Sequence, residues 1–151
     1  LPQLVRVLAY TIMPNHFHFL LRQEKEGGIQ TFMQKLSNSF SHYYNTVNNS
    51  RGPVFEGTFE AVRIETEKQL LHVSRYIHLN AVTAHLVDEP RNYEFSSYGL
   101  YVSQERANKN SWIDTSIIMS YFKTSKHHQK FVIDNKDYQR RLHEIKHLIG
   151  S

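Results

Sequence analysis

His16-Phe17-His18 sets two imidazoles on either side of one large hydrophobe, in the run Met13-Pro14-Asn15-His16-Phe17-His18-Phe19-Leu20-Leu21. Side chains alternate between the faces of a strand, so residues two apart point the same way. His16 and His18 are therefore predicted to project together, with Phe17 and Phe19 entering the core behind them. Two neutral imidazoles side by side can hold a divalent metal, and a metal beside a phosphate can drive strand cleavage.

Such chemistry also needs a third ligand and a nucleophile. His72, Tyr76 and Asn80 recur every fourth residue, and four residues turn a helix by about 400°. They form a stripe along one helix face, at the rim of the buried seam. If that helix packs on the sheet face bearing the histidines, Tyr76 and Asn80 join them. An ion held by His16, His18 and the carbonyl oxygen of Asn80 would keep positions open for a scissile phosphate. The Tyr76 oxygen would attack phosphorus in line and conserve the bond as a phosphotyrosine. A phenol has an ordinary pKa of about 10, so its proton needs an acceptor; His72 is the candidate. The plainer alternative stands beside this one: strand histidines are often surface residues, and a helix-rim tyrosine is usually packing.

The elements that must position these groups follow from periodicity. Leu4 to Ile12 reads as a strand, Met13-Pro14-Asn15 as a turn, and His16 to Arg22 as the returning strand of a hairpin. After Gly27-Gly28, the residues Ile29, Phe32, Met33, Leu36, Phe40, Tyr43, Tyr44 and Val47 fall at helical spacing and predict a core-facing stripe. Val54 to Ile64 reads as another strand, with Gly57 a bulge. Thr66-Glu67-Lys68-Gln69 is a capping box. It opens a helix to about Ala84 with Leu70, Val73, Ile77, Ala81 and Ala84 as its seam. Tyr93 to Tyr101 is expected to wrap back over the body. Beyond a turn at Asn108-Lys109-Asn110, short helices are expected around Ile117–Phe122 and Tyr138–Ile149.

This order predicts an α+β, ferredoxin-like antiparallel sheet with helices on one face, its first strand and helix missing, plus one further helix and a helical tail. A central strand needs a substitute, either upstream residues or a partner chain. The chain opens on Leu1, so a fragment or trimmed chain is expected.

Composition narrows the setting. The 151 residues suit one domain with an appendage, and 40% hydrophobic residues can build a core. There is no cysteine, which excludes disulfides and thiolate metal sites. No run is long enough to span a membrane and no signal peptide opens the chain. The net charge of +4 resides entirely in residues 104–151; residues 1–103 balance. Either a solvated helical tail or a surface for a nucleic-acid backbone would look like this.

The histidine run resembles the His-hydrophobic-His signature of the single-tyrosine transposases, the IS200-like and REP-associated members of the HUH endonuclease superfamily. Gly52-Pro53-Val54-Phe55-Glu56-Gly57-Thr58-Phe59 resembles their strand after the long helix. Ser74-Arg75-Tyr76-Ile77-His78-Leu79-Asn80-Ala81-Val82 resembles their nucleophile helix, and Tyr93 to Tyr98 the segment after it. The likeness covers residues 4 to 101; Trp112 to Val132 is similar to an extension in longer members. It implies a catalytic domain over residues 1–101 and a basic helical extension over 102–151. It implies nicking and joining of single-stranded DNA near hairpins with Mg²⁺ or Mn²⁺. Tyr76 would take the 5′-phosphate, with His16, His18 and Asn80 as metal ligands. A bacterial cytoplasmic, nucleoid-associated protein is expected, without membrane contact. Mobile-element members are expected to be homodimers, with monomers among the repeat-associated ones. Ala81 stands where the family usually has Pro, and Thr58 and Glu60 where a basic residue is common.

Arg63, Arg75, Lys123, Lys126, Arg140 and Arg141 are candidate phosphate partners, and Tyr10, Tyr98 and Tyr101 candidate stacking platforms. The alternatives are a domesticated, non-cutting DNA-binding protein of the same fold or an RNA-binding ferredoxin-like module. A two-histidine phosphoesterase would need a second histidine motif, which the sequence lacks.

Overall fold

The chain opens with a hairpin of strands β1 (Val5–Ile12) and β2 (Phe17–Gln23), a two-stranded antiparallel sheet. The computed structural model describes residues 3–55, 59–103, 106 and 112–148. Among the described residues the helices that follow are α1 (Gly28–Asn48), α2 (Glu67–Thr83), α3 (Tyr98–Val102), α4 (Ser116–Met119), α5 (Ser125–Ile133) and α6 (Lys136–Leu148). A 3₁₀ turn spans Pro90–Asn92. The fold is α+β, consistent with the ferredoxin-like expectation. Its contacts divide into two compact units, Leu1–Arg6 with Arg22–Ile64, and Val7–Leu21 with Glu65–Ser151.

In the first unit, the Leu4 carbonyl accepts from the N–H groups of Glu24 (3.0 Å) and Lys25 (3.3 Å). Gly28 must be glycine, because a Cβ there would run into the Leu4 carbonyl oxygen. α1 has no side-chain N-cap; Gly27 at φ 70° lets the chain enter it, and Gln23 Oε1 accepts the orphan Ile29 N–H at 3.1 Å. Its apolar stripe is only partly core. Met33 is buried, but Tyr43 is 66% and Val47 63% exposed, and Phe40 meets Phe55 at 5.5 Å. No strand forms among the described residues of 54–64: residues 59–64 carry no ladder, and Val62 is 81% exposed. Apolar alternation makes a strand only where a neighbour supplies the ladder. The predicted bulge at Gly57 lies outside the described residues, as does the turn at 108–110.

The second unit is built on β1 and α2. Val7, Leu8 and Ala9 are all buried, so β1 is covered on both faces rather than on one. Its outer edge is closed by two single bridges, Thr11 with Ser96 and Val7 with Ile113. The wrapping segment expected at 93–101 supplies the first. Ile12 N–H donates to Phe95 O (2.8 Å), Ser97 N–H to Tyr10 O (2.9 Å), and the Tyr93 hydroxyl to Ile12 O (2.6 Å). Edge N–H and C=O groups are thus paired where they would otherwise be orphaned.

The predicted Thr66 cap forms, with the return bond reaching Glu65, one residue before the cap. Thr66 Oγ1 accepts from Gln69 N–H at 3.1 Å and Gln69 Oε1 accepts from Glu65 N–H at 2.9 Å, a cap worth about 1 kcal/mol. α2 ends in a Schellman motif: Leu86 N–H reaches Ala81 O and His85 N–H reaches Val82 O, both at 3.0 Å. His85, at φ 59°, occupies the left-handed place glycine usually fills. The second half of α2 departs from the predicted seam. Every residue from Ile77 to Thr83 is buried, whereas Ala84 is exposed. The second half of α2 is therefore central, packed against α5, α6 and the 3₁₀ turn, with the α3 ring of Tyr101 against His78, while its first half keeps an exposed face. Leu79, Tyr98 and Val132 form its core cluster with Phe131 and Val102 against them; burying a side chain such as Leu79 is worth about 1.5–3 kcal/mol.

Candidate active site

The Met13–His16 turn closes with Met13 N–H donating to His16 O at 2.8 Å. It delivers the histidines at the start of β2. Their rings lie edge to face with centroids 5.1 Å apart. His16 is exposed and His18 half-buried. Leu20, two residues further on the same face, is 4% exposed, so this is the covered face of β2. Phe17 and Phe19 do not enter a core behind it. They are half-buried, contact each other at 5.5 Å, and Phe19 stacks on Tyr10 at 6.0 Å.

Burial, reinforced by neighbouring His16, lowers the His18 pKa below the ordinary histidine value. The imidazole is then neutral at pH 7 with a lone pair to offer. His16 Nδ1 lies 2.7 Å from Asn15 Oδ1. An Nδ1–H held by that amide oxygen leaves Nε2 as the coordinating atom. Asn15 was read from sequence as a turn residue only; its adjacency to His16 was the available signal.

α2 brings Tyr76 to this pair. The Tyr76 ring lies edge-on to His18 with centroids 5.8 Å apart, and Tyr76 is 47% exposed. The condition stated for convergence, that the capped helix pack on the histidine face, is met for the phenol. Asn80 lies one turn further on the same helix face and is buried. Its main-chain carbonyl accepts from Ala84 N–H at 3.0 Å, which leaves the side-chain amide oxygen as its free donor atom. Among the described residues there is no group of three His, Cys, Asp or Glu that could hold a metal. His16 and His18 are the two donor groups seen side by side, and imidazole suits a borderline divalent ion.

The family profile described as "Transposase IS200 like" matches residues 3–80, more than half of the chain, and ends on Asn80. The chain belongs to the IS200-like transposase family. A transposase role, with DNA as the partner, comes with that membership. No curated protein and no solved structure gives a match. Among the described residues no helix is long and apolar enough to cross a membrane.

The remaining site residues of this transposase fall into two groups. His72 sits one turn before Tyr76, but its ring stacks on Phe131 (6.5 Å). Desolvation, then the charges of Arg75 and Lys68, lower its pKa, so it is a neutral imidazole able to accept a proton. Arg75 is fixed over the Phe131 ring at 4.2 Å and donates to the Phe131 carbonyl at 3.4 Å. Arg140 is a clamp on the end of α2: its Nε donates to Val82 O at 2.8 Å and its Nη2 to Val87 O at 3.3 Å. Lys123, Lys126, Arg141 and, in the first unit, Arg63 are exposed.

Tyr98 and Tyr101 are not stacking platforms. Both are buried, and the Tyr101 hydroxyl donates to Leu8 O at 2.5 Å. They wall a second imidazole pair that sequence reasoning missed. His78 and His128 lie with centroids 6.3 Å apart, each about 1% exposed. His78 Nε2 meets Ser97 Oγ at 2.8 Å, while Nδ1 of both rings is buried without a hydrogen-bond partner. Burial, with His128 beside it, pushes His78 down to about 3; burial pushes His128 down to about 4.

Proposed function

We propose that this transposase nicks and rejoins single-stranded DNA near hairpins through a phosphotyrosine on Tyr76. The observation that carries the reading is the contact of the Tyr76 ring with His18 inside one compact unit. Residues far apart in sequence meet there, and they meet within a single chain, which supports a site assembled in cis. Tyr76 is half-exposed, so a phosphodiester can reach its hydroxyl. Its oxygen attacks phosphorus; the P–O3′ bond breaks as the P–O bond to tyrosine forms; the departing 3′-oxygen takes a proton and becomes a free hydroxyl. His72, neutral and one turn away, is the candidate to take the phenolic proton. Rejoining is the reverse attack by a 3′-hydroxyl.

His16, His18 and the Asn80 amide would hold Mg²⁺ or Mn²⁺. Such an ion, when bound, polarises the phosphoryl oxygens and stabilises the charge of the transition state. Asn15 fixes the His16 ring, and burial keeps His18 unprotonated.

The test is a labelled hairpin-bearing oligonucleotide incubated with the protein and Mg²⁺ or Mn²⁺. The expected product is a covalent adduct that survives denaturation, maps to Tyr76 by peptide mass and disappears in Tyr76→Phe. An adduct that persists in Tyr76→Phe overturns the reading. So does binding of the hairpin by folded protein with no adduct, which is the result for a non-cutting relative.

A further inference from the structure

A groove of about 610 Å³ runs along α2 and α6, and Tyr76 forms part of its wall. Pockets of about 300–1,000 Å³ hold drug-sized ligands, so the volume suits a nucleotide and the phosphate next to it. Lys68, His72 and Arg75 line it from α2, and Tyr138 and His143 from α6; among the described residues none that lines it is acidic. Tyr138 lines the groove and is 54% exposed. Two cations, Lys68 and Arg75, with an exposed aromatic ring across from them are the pairing that holds single strands, charge on the backbone and ring on a base. α6 lies beyond the residues that the family profile matches.

We propose that this groove seats the strand that becomes attached to Tyr76, with Tyr138 as the stacking platform for its first base and Lys68 and His143 beside the following phosphate. The inference rests on Tyr76 being the nucleophile and adds where the attached strand goes. The phenol faces His18 on one side and the groove on the other. Whatever is bonded to its oxygen therefore begins at the groove's wall. The attached strand is the one carrying the 5′-phosphate, so the site should prefer a 5′-phosphorylated single strand.

The probe is a short 5′-phosphorylated oligothymidylate bearing a fluorophore at its 3′ end, titrated by anisotropy against the full chain. Tyr138→Ala should weaken binding about tenfold, in line with the loss of one base stack, and Tyr138→Phe should restore it. Lys68→Ala should reduce the slope of log affinity against log salt by about 0.7, one phosphate contact on a single strand. The 5′-hydroxyl oligonucleotide should bind more weakly than the 5′-phosphorylated one. Bromodeoxyuridine at the first position should crosslink to Tyr138. Equal affinities for wild type and Tyr138→Ala, or a crosslink that maps away from α2 and α6, overturns the groove. Tyr76→Phe separates the two readings, because it removes the adduct and leaves the groove intact. Tyr138-dependent binding with no adduct in the wild type counts against nicking; an adduct with Tyr138-independent binding counts against the groove.

Discussion

His16 and His18 stand at the mouth of a hairpin, their rings 5.1 Å apart, with a half-exposed phenol against His18. His78 and His128 are nearly as close, at 6.3 Å, yet lie sealed among Tyr98, Tyr101 and Phe122. Burial lowers the pKa of His18 as it lowers those of His78 and His128, so these three imidazoles are neutral at pH 7. What differs is access. The first pair has a nucleophile and solvent in reach; the second has neither, and two of its nitrogens lack partners altogether. α2 keeps them apart. Tyr76 and His78 are two residues apart and so about 200° apart around the helix, one turned to the reactive side and one to the core. A pair of imidazoles becomes a site through what borders it.

That contrast is broken most directly at Tyr76. Tyr76→Phe should abolish covalent adduct formation, while thermal stability stays within about 0.5 kcal/mol because the hydroxyl is at the surface. A stability loss of several kcal/mol would place Tyr76 with the packed pair instead.

The next largest effect belongs to the histidines. His18→Ala or His16→Ala should reduce nicking at least a hundredfold, beyond the range of about 10–100-fold for residues behind the ligands. Chelation by EDTA should do the same to wild type and add nothing to either variant. Nicking that is indifferent to EDTA in wild type would remove the metal from the proposal and leave the phenol without its electrostatic support.

His128 tests the other side. His128→Ala should cost about 3 kcal/mol of stability by leaving a cavity among aromatic rings, and DNA cleavage by the remaining folded protein should be near normal. Acid should reveal the same residue. The unfolded imidazole takes up its proton near pH 6.5 and the folded one only near 4. Between these values protons favour the unfolded chain, so the share of stability that His128 holds is whole above about pH 6.5 and up to about 3 kcal/mol of it is lost as pH drops towards 4, beside a further loss from His78 in the same range. His128→Phe keeps the volume and removes one of the two buried titrations, so the slope of melting temperature against pH in that window should fall to about half, His78 supplying the rest. A wild-type curve flat from pH 7 to 4.5 would contradict the burial argument.

The reactive side was legible because it obeys short periods. Alternation in β2 pairs His16 with His18, the i, i+4 rule aligns Tyr76 with Asn80, and the Thr66 cap announces α2. The packed side was not. Ser74-Arg75-Tyr76-Ile77-His78 gives no sign that His78 will be buried, since that depends on α3 and α5 closing over α2 from distant sequence. The same holds for Tyr98 and Tyr101, whose aromatic rings look equally fit for stacking on bases or for core. Arg140 reads as a phosphate partner until Val82 and Val87 are seen to offer it carbonyls. The apolar run at 54–64 and the far half of the α1 stripe predicted burial that needs a neighbour. Periodicity reports which face is apolar, not whether anything covers it.

The smallest effect gives the sharpest comparison within the reactive pair. His18 is oriented by burial, His16 by a single hydrogen bond from Nδ1 to Asn15 Oδ1. Asn15→Ala should leave the fold and the Tyr76 adduct chemistry intact at saturating metal, but raise the Mn²⁺ concentration for half-maximal nicking about tenfold, the cost of freeing a ligand's ring. Asn15→Asp should do the reverse or better, because a carboxylate accepting the Nδ1 proton makes Nε2 a stronger donor. If Asn15→Ala needs no more Mn²⁺ than wild type, the ring is held by the metal alone and the turn amide is incidental. If both variants weaken metal binding alike, the amide's shape matters and its acceptor oxygen does not. Only the graded order, aspartate at or above asparagine and alanine below both, supports a turn that tunes the ligand it carries.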